Sequence, residues 1–207
     1  MTAYGYEIGQ ALAKLHIALD SAADSLPTKS AETYKTVVEW AIPKVKKANT
    51  DFGMGLEESL FDDYIETFGK LHDTLPKQFI HRDANPGNII FNNGEVSGFI
   101  DFVISERNMR LWDVCYFLTG LGDSFYDDSE RWLTIIKELL RGYNNINRLT
   151  EEEKQSIFYV MCSIQFTCVA FFAGSEKYKP AWEQNRKLTP FVVKNKDRII
   201  EIGMGIK

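Results

Sequence analysis

The chain has 207 residues, of which 44% are hydrophobic and 26% are charged, as in an ordinary globular protein. Its net charge is −5 with acidic and basic residues interspersed, which argues against a nucleic-acid partner or an anionic membrane surface. Cys115, Cys162 and Cys168 lie in apolar runs without CxxC spacing. They predict buried free thiols in a reducing cytoplasm rather than a zinc site. The N-terminal sequence also lacks the pattern of a signal peptide, so we expect a cytoplasmic protein.

Helical patterns predominate in the first part of the chain. Apolar residues at helical spacing predict an amphipathic helix over about residues 4–20, which Pro27 ends. Residues 30–47 predict a second helix with a kink or an end at Pro43, and a third is predicted over about residues 60–71. The apolar face of the first helix consists of Ile8, Leu12, Leu15 and Leu19.

A polar loop and a β-hairpin follow these helices. A short apolar run leads into the loop over residues 81–88. Residues 89–91 and 96–100 are typical of short strands, and the Asn-Gly pair at 93–94 is a strong signal for a hairpin turn between them. Because an isolated hairpin is not a stable sheet, we expect it to lie on the helices and to present residues there.

Helices also predominate after residue 101. Thr150 and Glu153 have the spacing of a capping box at the start of a long helix, and Pro190 is expected to interrupt the last helix. Residues 157–173 are apolar enough to suggest a membrane span, but they contain polar residues and predict a buried core helix instead. The predicted helices cover about residues 111–121, 129–143, 150–173 and 180–202.

These elements predict a mainly α protein with one small β-hairpin. We expect residues 1–207 to form a single helical domain with three parts. These parts are a helical front part over 1–78, the polar loop and hairpin over 79–101, and the C-terminal helices over 102–207.

The residues of the loop and hairpin favour a phosphoryl-transfer site. Asp83 and Asn88 lie in a loop that contains Pro86-Gly87, and Asp101 directly follows the second strand. Because the hairpin folds back on itself, Asp101 is expected beside Asn88, where one carboxylate and one amide oxygen suit Mg²⁺. Asp83 is then free to accept a hydrogen bond from a substrate hydroxyl. Positioning a nucleophile and neutralising phosphate charge are the main tasks of phosphoryl transfer.

The same residues carry a family resemblance. His81-Arg82-Asp83 followed by Asn88 matches the kinase pattern H-R-D-x-x-x-x-N. Residues 80–118 resemble the catalytic core of the aminoglycoside phosphotransferase and choline kinase group within the protein-kinase-like superfamily. The stretch IGQALAKLH at residues 8–16 is similar to the first helix of that group's C-terminal lobe.

The resemblance implies a role for each matching residue. Asp83 would be the catalytic aspartate, and Asn88 and Asp101 would bind Mg²⁺, with ATP as phosphate donor and a small-molecule hydroxyl as acceptor. His81 would brace the loop. Asp113 would hold the catalytic loop from the following helix. We call residues 81–88 the catalytic loop.

Spacing favours a small-molecule kinase over a protein kinase. Protein kinases usually carry a lysine two residues after the catalytic aspartate, where this chain has Asn85. Only eleven residues separate Asp101 from Asp113, which leaves no room for an activation segment, and no A-P-E motif follows. The sequence after the second strand reads Asp-Phe-Val rather than Asp-Phe-Gly, with Val103 in place of glycine.

The sequence upstream of His81 differs from that of complete kinases. About eighty helical residues precede it, and they contain no glycine-rich strand loop and no strand lysine for ATP. We therefore expect the C-terminal lobe alone, with the ATP-binding lobe absent. The face that this lobe would cover should then be apolar and favour self-association or a partner. A truncated, non-catalytic remnant that binds a small molecule or a protein is the alternative function, and antibiotic, choline and homoserine all remain open as acceptors.

Several other polar or aromatic residues have simpler explanations. His16 and His72 are expected to be surface or packing residues. Arg82 and Arg110 are expected to pair with nearby carboxylates. Acidic residues around 123–130 are expected to favour a helix N-terminus, although a cation-binding cleft is the alternative. Core packing is expected for Trp112, Trp132 and Trp182.

Overall fold

The computed structural model describes residues 4–25 and 30–207, so the predicted break at Pro27 lies outside the described residues. The mainly α fold is confirmed. Two π-helical turns, Val37–Ala41 and Tyr64–Phe68, each join two α-helical segments. The α-helices are α1 Gly5–Ser21, α2 Thr33–Thr36, α3 Ile42–Phe52, α4 Glu58–Asp63, α5 Gly69–Leu71, α6 Leu111–Leu121, α7 Ser129–Ile146, α8 Glu151–Phe172, α9 Lys179–Lys194 and α10 Lys196–Met204. The strands are β1 Lys77–Ile80, β2 Ile89–Asn92, β3 Glu95–Phe99 and β4 Glu106–Met109.

Over residues 4–25 and 30–207, four strands form two separate antiparallel pairs. The predicted hairpin is confirmed as the β2–β3 pair, with positive φ angles at Asn93 and Gly94 in its turn and a bulge after Ile90. The β1–β4 pair was not predicted. Strand β4 reads Glu-Arg-Asn-Met, and its buried polar residues Glu106 and Asn108 satisfy their hydrogen bonds with distant side chains. An apolar pattern therefore could not reveal this strand.

Two proline residues act differently from expectation. Pro43 lies in the first turn of α3, directly after the π-helical turn, so the helical stretch continues to Phe52 instead of ending near residue 47. Pro190 lies inside α9, and the expected interruption there is wrong. The helix ends instead at Asn195, whose Nδ2 donates to the carbonyl of Phe191 at 2.8 Å. This side-chain bond competes with continuation of the helix and starts α10 at the next residue.

Helix α8 lies at the centre of the fold. It contacts α3, α6, α9 and α10, and its residues join one contiguous buried apolar cluster. The predicted capping box is present, with Thr150 Oγ1 accepting from the Glu153 N–H and Glu153 Oε2 accepting from the Thr150 N–H. Among the described residues, α8 is long and apolar enough to cross a membrane, but 72% of its most apolar window is buried within the protein. Core packing thus accounts for its composition.

Two glycines allow α1 and α7 to approach closely. An ideal Cβ on Gly9 would lie 2.0 Å from the Leu139 carbonyl oxygen, and one on Gly142 would lie 2.0 Å from the Tyr6 carbonyl oxygen. No side chain fits at such distances without moving a helix. The reciprocal glycine contacts therefore fix how deeply α1 lies against α7.

We predict that Gly142→Ala destabilises the protein by about 1–3 kcal/mol, because the clash with the Tyr6 backbone outweighs the better helix propensity of alanine. Urea unfolding measures the loss. Gly98→Ala is the control, because nothing lies within 4 Å of its ideal Cβ. Equal stability of the two variants would contradict the close approach of the helices.

Asp63 ties three helical segments together. Its carboxylate accepts from Lys196 Nζ at 2.8 Å, from the Tyr159 hydroxyl at 3.1 Å and from Thr67 Oγ1 at 3.0 Å. Burial by itself raises the pKa of Asp63, but the hydrogen bonds from Lys196 and Thr67 and the charge of Lys196 outweigh it, so the pKa is lowered. The ionised carboxylate therefore stabilises the folded state.

This lowered pKa predicts an acid-dependent contribution to stability. The contribution is fully present above the unfolded-state pKa of about 3.9 and is lost as the pH falls through the lower folded-state pKa. We expect Asp63→Asn to lower the free energy of unfolding at pH 7 and to flatten its decline below about pH 4. Urea titrations between pH 2.5 and 7 measure this, with Asp127→Asn, at an exposed position, as control. Parallel pH profiles for Asp63→Asn and the unmodified protein would refute it.

Candidate functional site

The catalytic loop connects the two strand pairs. It leaves β1 at Ile80 and enters β2 after the 3₁₀ turn Pro86–Asn88. Arg82 has φ +76° and Asp101, directly after the hairpin, has φ +65°, so both residues occupy the left-handed region. This conformation is uncommon for non-glycine residues and costs of order 1–3 kcal/mol each where strained. Neighbouring hydrogen bonds must therefore hold both positions.

Asp113 on α6 holds the start of the loop. Its Oδ2 accepts from the His81 N–H and its Oδ1 from the Arg82 N–H, both at 2.8 Å. The carboxylate is fully buried. On the other side of the backbone, the Trp112 indole donates to the Arg82 carbonyl at 3.2 Å and Ser105 Oγ donates to the His81 carbonyl at 3.2 Å. Each peptide group around the left-handed residue is thereby satisfied.

The His81 ring links the loop to the end of the hairpin. Its Nδ1 accepts from the Asp83 N–H at 3.3 Å, and its Nε2 lies 2.8 Å from the Ile100 carbonyl oxygen. A carbonyl only accepts, so Nε2 carries a hydrogen, and Nδ1 acts as the acceptor. The ring also contacts Phe102, with centroids 4.4 Å apart. His81 therefore fixes the residues on both sides of Asp101.

The Asp83 carboxylate is oriented by two amides. Asn85 Nδ2 donates to its Oδ1 and Asn88 Nδ2 donates to its Oδ2, both at 3.0 Å. Asn88 Nδ2 also donates to the Asp83 carbonyl at 2.9 Å. Each carboxylate oxygen keeps a free lone pair and the side chain is half-buried, so Asp83 can accept from one further hydroxyl.

Asn88 and Asp101 are brought together by the hairpin. The Ile100 N–H donates to the Asn88 carbonyl at 3.0 Å, which extends the β2–β3 ladder and places the residue after Ile100 beside Asn88. Because the Asn88 amide nitrogen bonds to Asp83, its amide oxygen is available as a ligand. The exposed Asp101 carboxylate is also available. These two oxygens fit a hard cation whose remaining ligands are water and phosphate.

Asn88 and Asp101 are not a complete protein cage for a metal. Within residues 4–25 and 30–207, no three His, Cys, Asp or Glu side chains cluster in a way that could hold a metal ion. Mg²⁺ sites built from one or two protein oxygens normally share the cation with substrate phosphates.

Arg82 and Arg110 form the expected ion pairs. Arg82 Nε lies 2.9 Å from Glu106 Oε1, and its guanidinium stacks on the Trp112 ring at 3.7 Å. Burial lowers the pKa of Arg82 although the Glu106 charge opposes the shift. Arg110 makes two bonds of 2.7 Å to Glu153. Both cations thus support the backbone around the loop and are already engaged.

Tyr116 on α6 lies beside Asp83 and was missed from the sequence. Helix α6 contacts the Pro86–Asn88 turn, and an ideal Cβ on Gly120, one turn after Tyr116, would lie 4.0 Å from Pro86 Cδ. Burial, and then the negative charge of Asp83, raise the pKa of Tyr116. The hydroxyl therefore remains protonated beside Asp83. Residues 113, 116 and 120 lie on one face of a helix, and this spacing could have placed Tyr116 near the loop.

His16 is a second residue that the sequence left unassigned. It is fully buried on α1 rather than at the surface, and its Nε2 lies 3.0 Å from Asp113 Oδ2. Position 16 follows Leu12 by four residues on the same helical face, so burial was foreseeable. Asp113, the partner of His16, is 97 residues further along the chain, and helical periodicity does not predict a contact between such distant positions. His72, in contrast, is half-buried and stacks on Tyr34 as a packing residue.

The acidic residues near 123–130 do not form one cleft. Asp128 is the N-cap of α7 and accepts from the Arg131 N–H at 3.1 Å, as dipole and capping arguments predict. Glu130 pairs with Arg198. Asp123 accepts from Gln184 Nε2 at 2.9 Å. Core packing is confirmed for all three tryptophans considered, which are Trp112, Trp132 and Trp182.

A family comparison agrees with this geometry. Residues 2–152, about three quarters of the chain, match the phosphotransferase enzyme family APH. The chain belongs to this family. As an APH family member it also resembles homoserine kinase of Granulibacter bethesdensis, with 30% identity over 159 residues. That match covers 75% of this chain and 47% of the relative, so the chain spans about half the length of the curated relatives it matches.

Solved structures of low identity share the fold. A choline/ethanolamine kinase family protein from Mesorhizobium loti matches with a TM-score of 0.60 and 14% identity, over 97% of this chain and 66% of that one. An amicoumacin kinase in complex with AMP-PNP, Ca²⁺ and Ami matches with a TM-score of 0.65 and 13% identity, over 92% of this chain and 59% of that one. The APH phosphotransferase chain thus has a kinase-like fold.

We predict that Asp113→Asn loosens the catalytic loop. In the variant an NH2 group replaces one carboxylate oxygen. This group must face at least one of the three hydrogen-bond donors from which Asp113 now accepts, so the free energy of unfolding should fall by about 3–5 kcal/mol. Urea unfolding, together with amide exchange at His81 and Arg82, measures both effects. Asp123→Asn, at an exposed position, is the control. Unchanged exchange at both amides in Asp113→Asn would contradict the assigned anchoring.

Proposed function

We propose that this chain is the acceptor- and metal-binding lobe of a small-molecule kinase of the APH phosphotransferase family. In this proposal the γ-phosphoryl group of ATP is transferred to a substrate hydroxyl. The observation that carries it is the arrangement of one loop and hairpin, in which Asn88 donates to the Asp83 carboxylate and accepts from the Ile100 N–H, next to Asp101. The family membership supports phosphoryl transfer as the reaction class.

Each residue has a defined task in the proposed reaction. The acceptor hydroxyl donates to the free lone pair of Asp83, which orients its oxygen toward the γ-phosphorus and receives its proton as the new O–P bond forms. The bond from the γ-phosphorus to the β,γ-bridging oxygen breaks, and ADP leaves with that oxygen. Asn88 and Asp101 would hold Mg²⁺, which when bound neutralises charge on the β- and γ-phosphates. His81 and Asp113 keep these side chains in register.

The outward face of the hairpin supports a nucleotide site beside the metal residues. Ile90 and Ile100 are exposed apolar residues on either side of Asn88, and Gly98 opposite Ile90 leaves space for a flat ring. An apolar floor of this kind suits a nucleobase, because nucleotide sites combine apolar contact with a few polar groups. The amicoumacin kinase, solved with AMP-PNP and Ca²⁺, supports a nucleotide and a divalent cation in this fold.

We propose homoserine, or a similarly small amino alcohol, as the acceptor. The support is the identity of about 30% with homoserine kinases, which exceeds the identity with choline or amicoumacin kinases. Tyr116 beside Asp83 limits the space on the acceptor side, which is consistent with a small substrate. Reaction with ATP and the three-cysteine, disulfide-free composition favour a cytoplasmic location.

A second lobe would complete the site. The segment after Asp101 exposes Phe102, Val103 and Ile104, and Val103 is 88% exposed. Contiguous apolar exposure of this kind is typical of an interaction surface. The matched relatives are about twice as long as the matched region, which is enough for a nucleotide-gripping lobe. We propose that such a lobe, in the same polypeptide or in a partner, covers this segment.

The test is calorimetry of Mg·ATP binding, followed by a phosphoryl-transfer assay with homoserine, choline and an aminoglycoside. We expect Asp101→Ala to abolish Mg²⁺-dependent nucleotide binding. Asp83→Asn should retain binding but lower turnover by about 10²–10⁴-fold, the usual contribution of a general base. Asp127→Ala, at an exposed position outside the site, is the control. Mg·ATP binding to Asp101→Ala with unchanged affinity would contradict the metal assignment. No Mg·ATP binding to either protein would instead favour the non-catalytic binding module.

A further inference from the structure

The anchor of the catalytic loop continues into a second buried contact. Asp113 Oδ2 lies 3.0 Å from His16 Nε2, and His16 Nδ1 lies 2.7 Å from the hydroxyl oxygen of Tyr143 on α7. All three side chains are fully buried. The three residues belong to α6, α1 and α7, so the contact joins three helices behind the loop.

Hydrogen-bond chemistry decides where the protons lie. A carboxylate only accepts, so His16 Nε2 must carry the hydrogen that it directs at Asp113. In the neutral ring Nδ1 is then an acceptor, and the Tyr143 hydroxyl must donate to it. The other tautomer would set the Nε2 lone pair against the Asp113 carboxylate and leave that nitrogen without a donor, which is costly in a buried site. Burial also raises the pKa of Tyr143, which keeps the donor proton in place.

We propose that Tyr143 is a positioning residue for the catalytic loop: its donation to His16 Nδ1 selects the Nε2–H tautomer, and that tautomer holds Asp113 on the His81 and Arg82 amides. The consequence for catalysis rests on the proposed function, whereas the consequence for loop order does not. Because Tyr143 does not touch the site, its whole effect passes through His16.

The surroundings of Tyr143 are rigid enough for this task. Gly142 beside it and Gly9 two turns before His16 bring the two helix backbones into contact. On the far side, the Arg110 guanidinium lies 5.9 Å from the Tyr143 ring centroid. Arg110 is itself held by Glu153 and by the Asn147 side chain. The hydroxyl is thus presented to His16 from a fixed direction.

Other groups face the contact without competing for it. Gln78 Nε2 donates to the His16 backbone carbonyl at 2.6 Å and leaves the ring nitrogens alone. In the part of the chain that the structure describes, the Tyr143 hydroxyl has no hydrogen-bond partner other than His16. Loss of this hydroxyl should therefore be felt at His16 and, through it, at Asp113.

The test compares Tyr143→Phe with a matched control, Tyr64→Phe. Tyr64 is also fully buried and its hydroxyl makes a 2.7 Å bond, but to Ser163 on α8, away from the loop. The first measurement is ¹⁵N NMR of the His16 ring in the unmodified protein. We expect a protonated Nε2 and an unprotonated Nδ1. A hydrogen on Nδ1 of the neutral ring would overturn the proposal without any variant.

The second measurement is amide hydrogen exchange at His81 and Arg82, normalised to core amides of α8. In Tyr143→Phe we expect about tenfold faster exchange at both amides, as for the loss of one buried hydrogen bond, and a mixture of His16 tautomers. Tyr64→Phe should leave the normalised exchange and the tautomer unchanged. Equal acceleration in both variants would reduce Tyr143 to a general packing residue and overturn the proposal.

The catalytic readout separates this proposal from the proposed function. If the unmodified protein transfers phosphate, Tyr143→Phe should lower kcat with little change in the acceptor KM, because the acceptor itself is not contacted. If the unmodified protein neither binds Mg·ATP nor transfers phosphate, the proposed function fails, while the tautomer and exchange measurements still decide the role of Tyr143.

Discussion

A single buried carboxylate determines the geometry of the site. Asp113 accepts from two consecutive backbone amides, those of His81 and Arg82, and the second belongs to a residue in the left-handed region. Without a partner, these amides would be buried donors and the turn would relax. Asp83 follows directly, so the direction of its side chain depends on a residue thirty positions further along the chain.

The residues around this anchor satisfy each other's polar groups. The loop carbonyls are bonded by Trp112 and Ser105, the His81 ring joins the loop to the hairpin end, and Asn88 joins Asp83 to the second strand pair. Arg82 Nη1 is buried without a hydrogen-bond partner, but the backbone groups of the loop and the His81 ring are paired. Such a network favours one arrangement, because an alternative leaves further donors or acceptors unpaired. This explains how two short strand pairs, each too small to be stable alone, hold a site in place.

Much of this arrangement could be predicted from local sequence. The Asn-Gly turn indicated the hairpin, and the Thr150–Glu153 spacing indicated the N-terminal cap of α8. The spacing of the motif placed Asp83, Asn88 and Asp101 on the same loop and hairpin. One strand was missed, and one helix interruption was wrongly predicted. Strand β4 is polar because distant side chains bond to it, and Pro190 is accommodated inside a helix.

Helix α1 also shows how far local sequence predicts which residues are buried. Of its predicted apolar face, Ile8 and Leu12 are buried and Leu15 and Leu19 are half-buried, but the buried face also includes Gly9, Ala13 and His16. Small residues permit the close approach of α7, and a buried histidine requires partners on α6 and α7. A periodicity count of apolar residues gives weight to neither feature.

The β1–β4 pair has one further consequence. Asp101 and Glu106 are separated by only four residues, and Glu106 is fixed both by its ladder to β1 and by Arg82. Asp101 is therefore tethered on both sides, through β3 and through β4, to the strand pairs that the catalytic loop connects. The two strand pairs are therefore joined twice, once by the catalytic loop and once by this segment, so that Asp83 and Asp101 lie on two separate connections between the same two pairs.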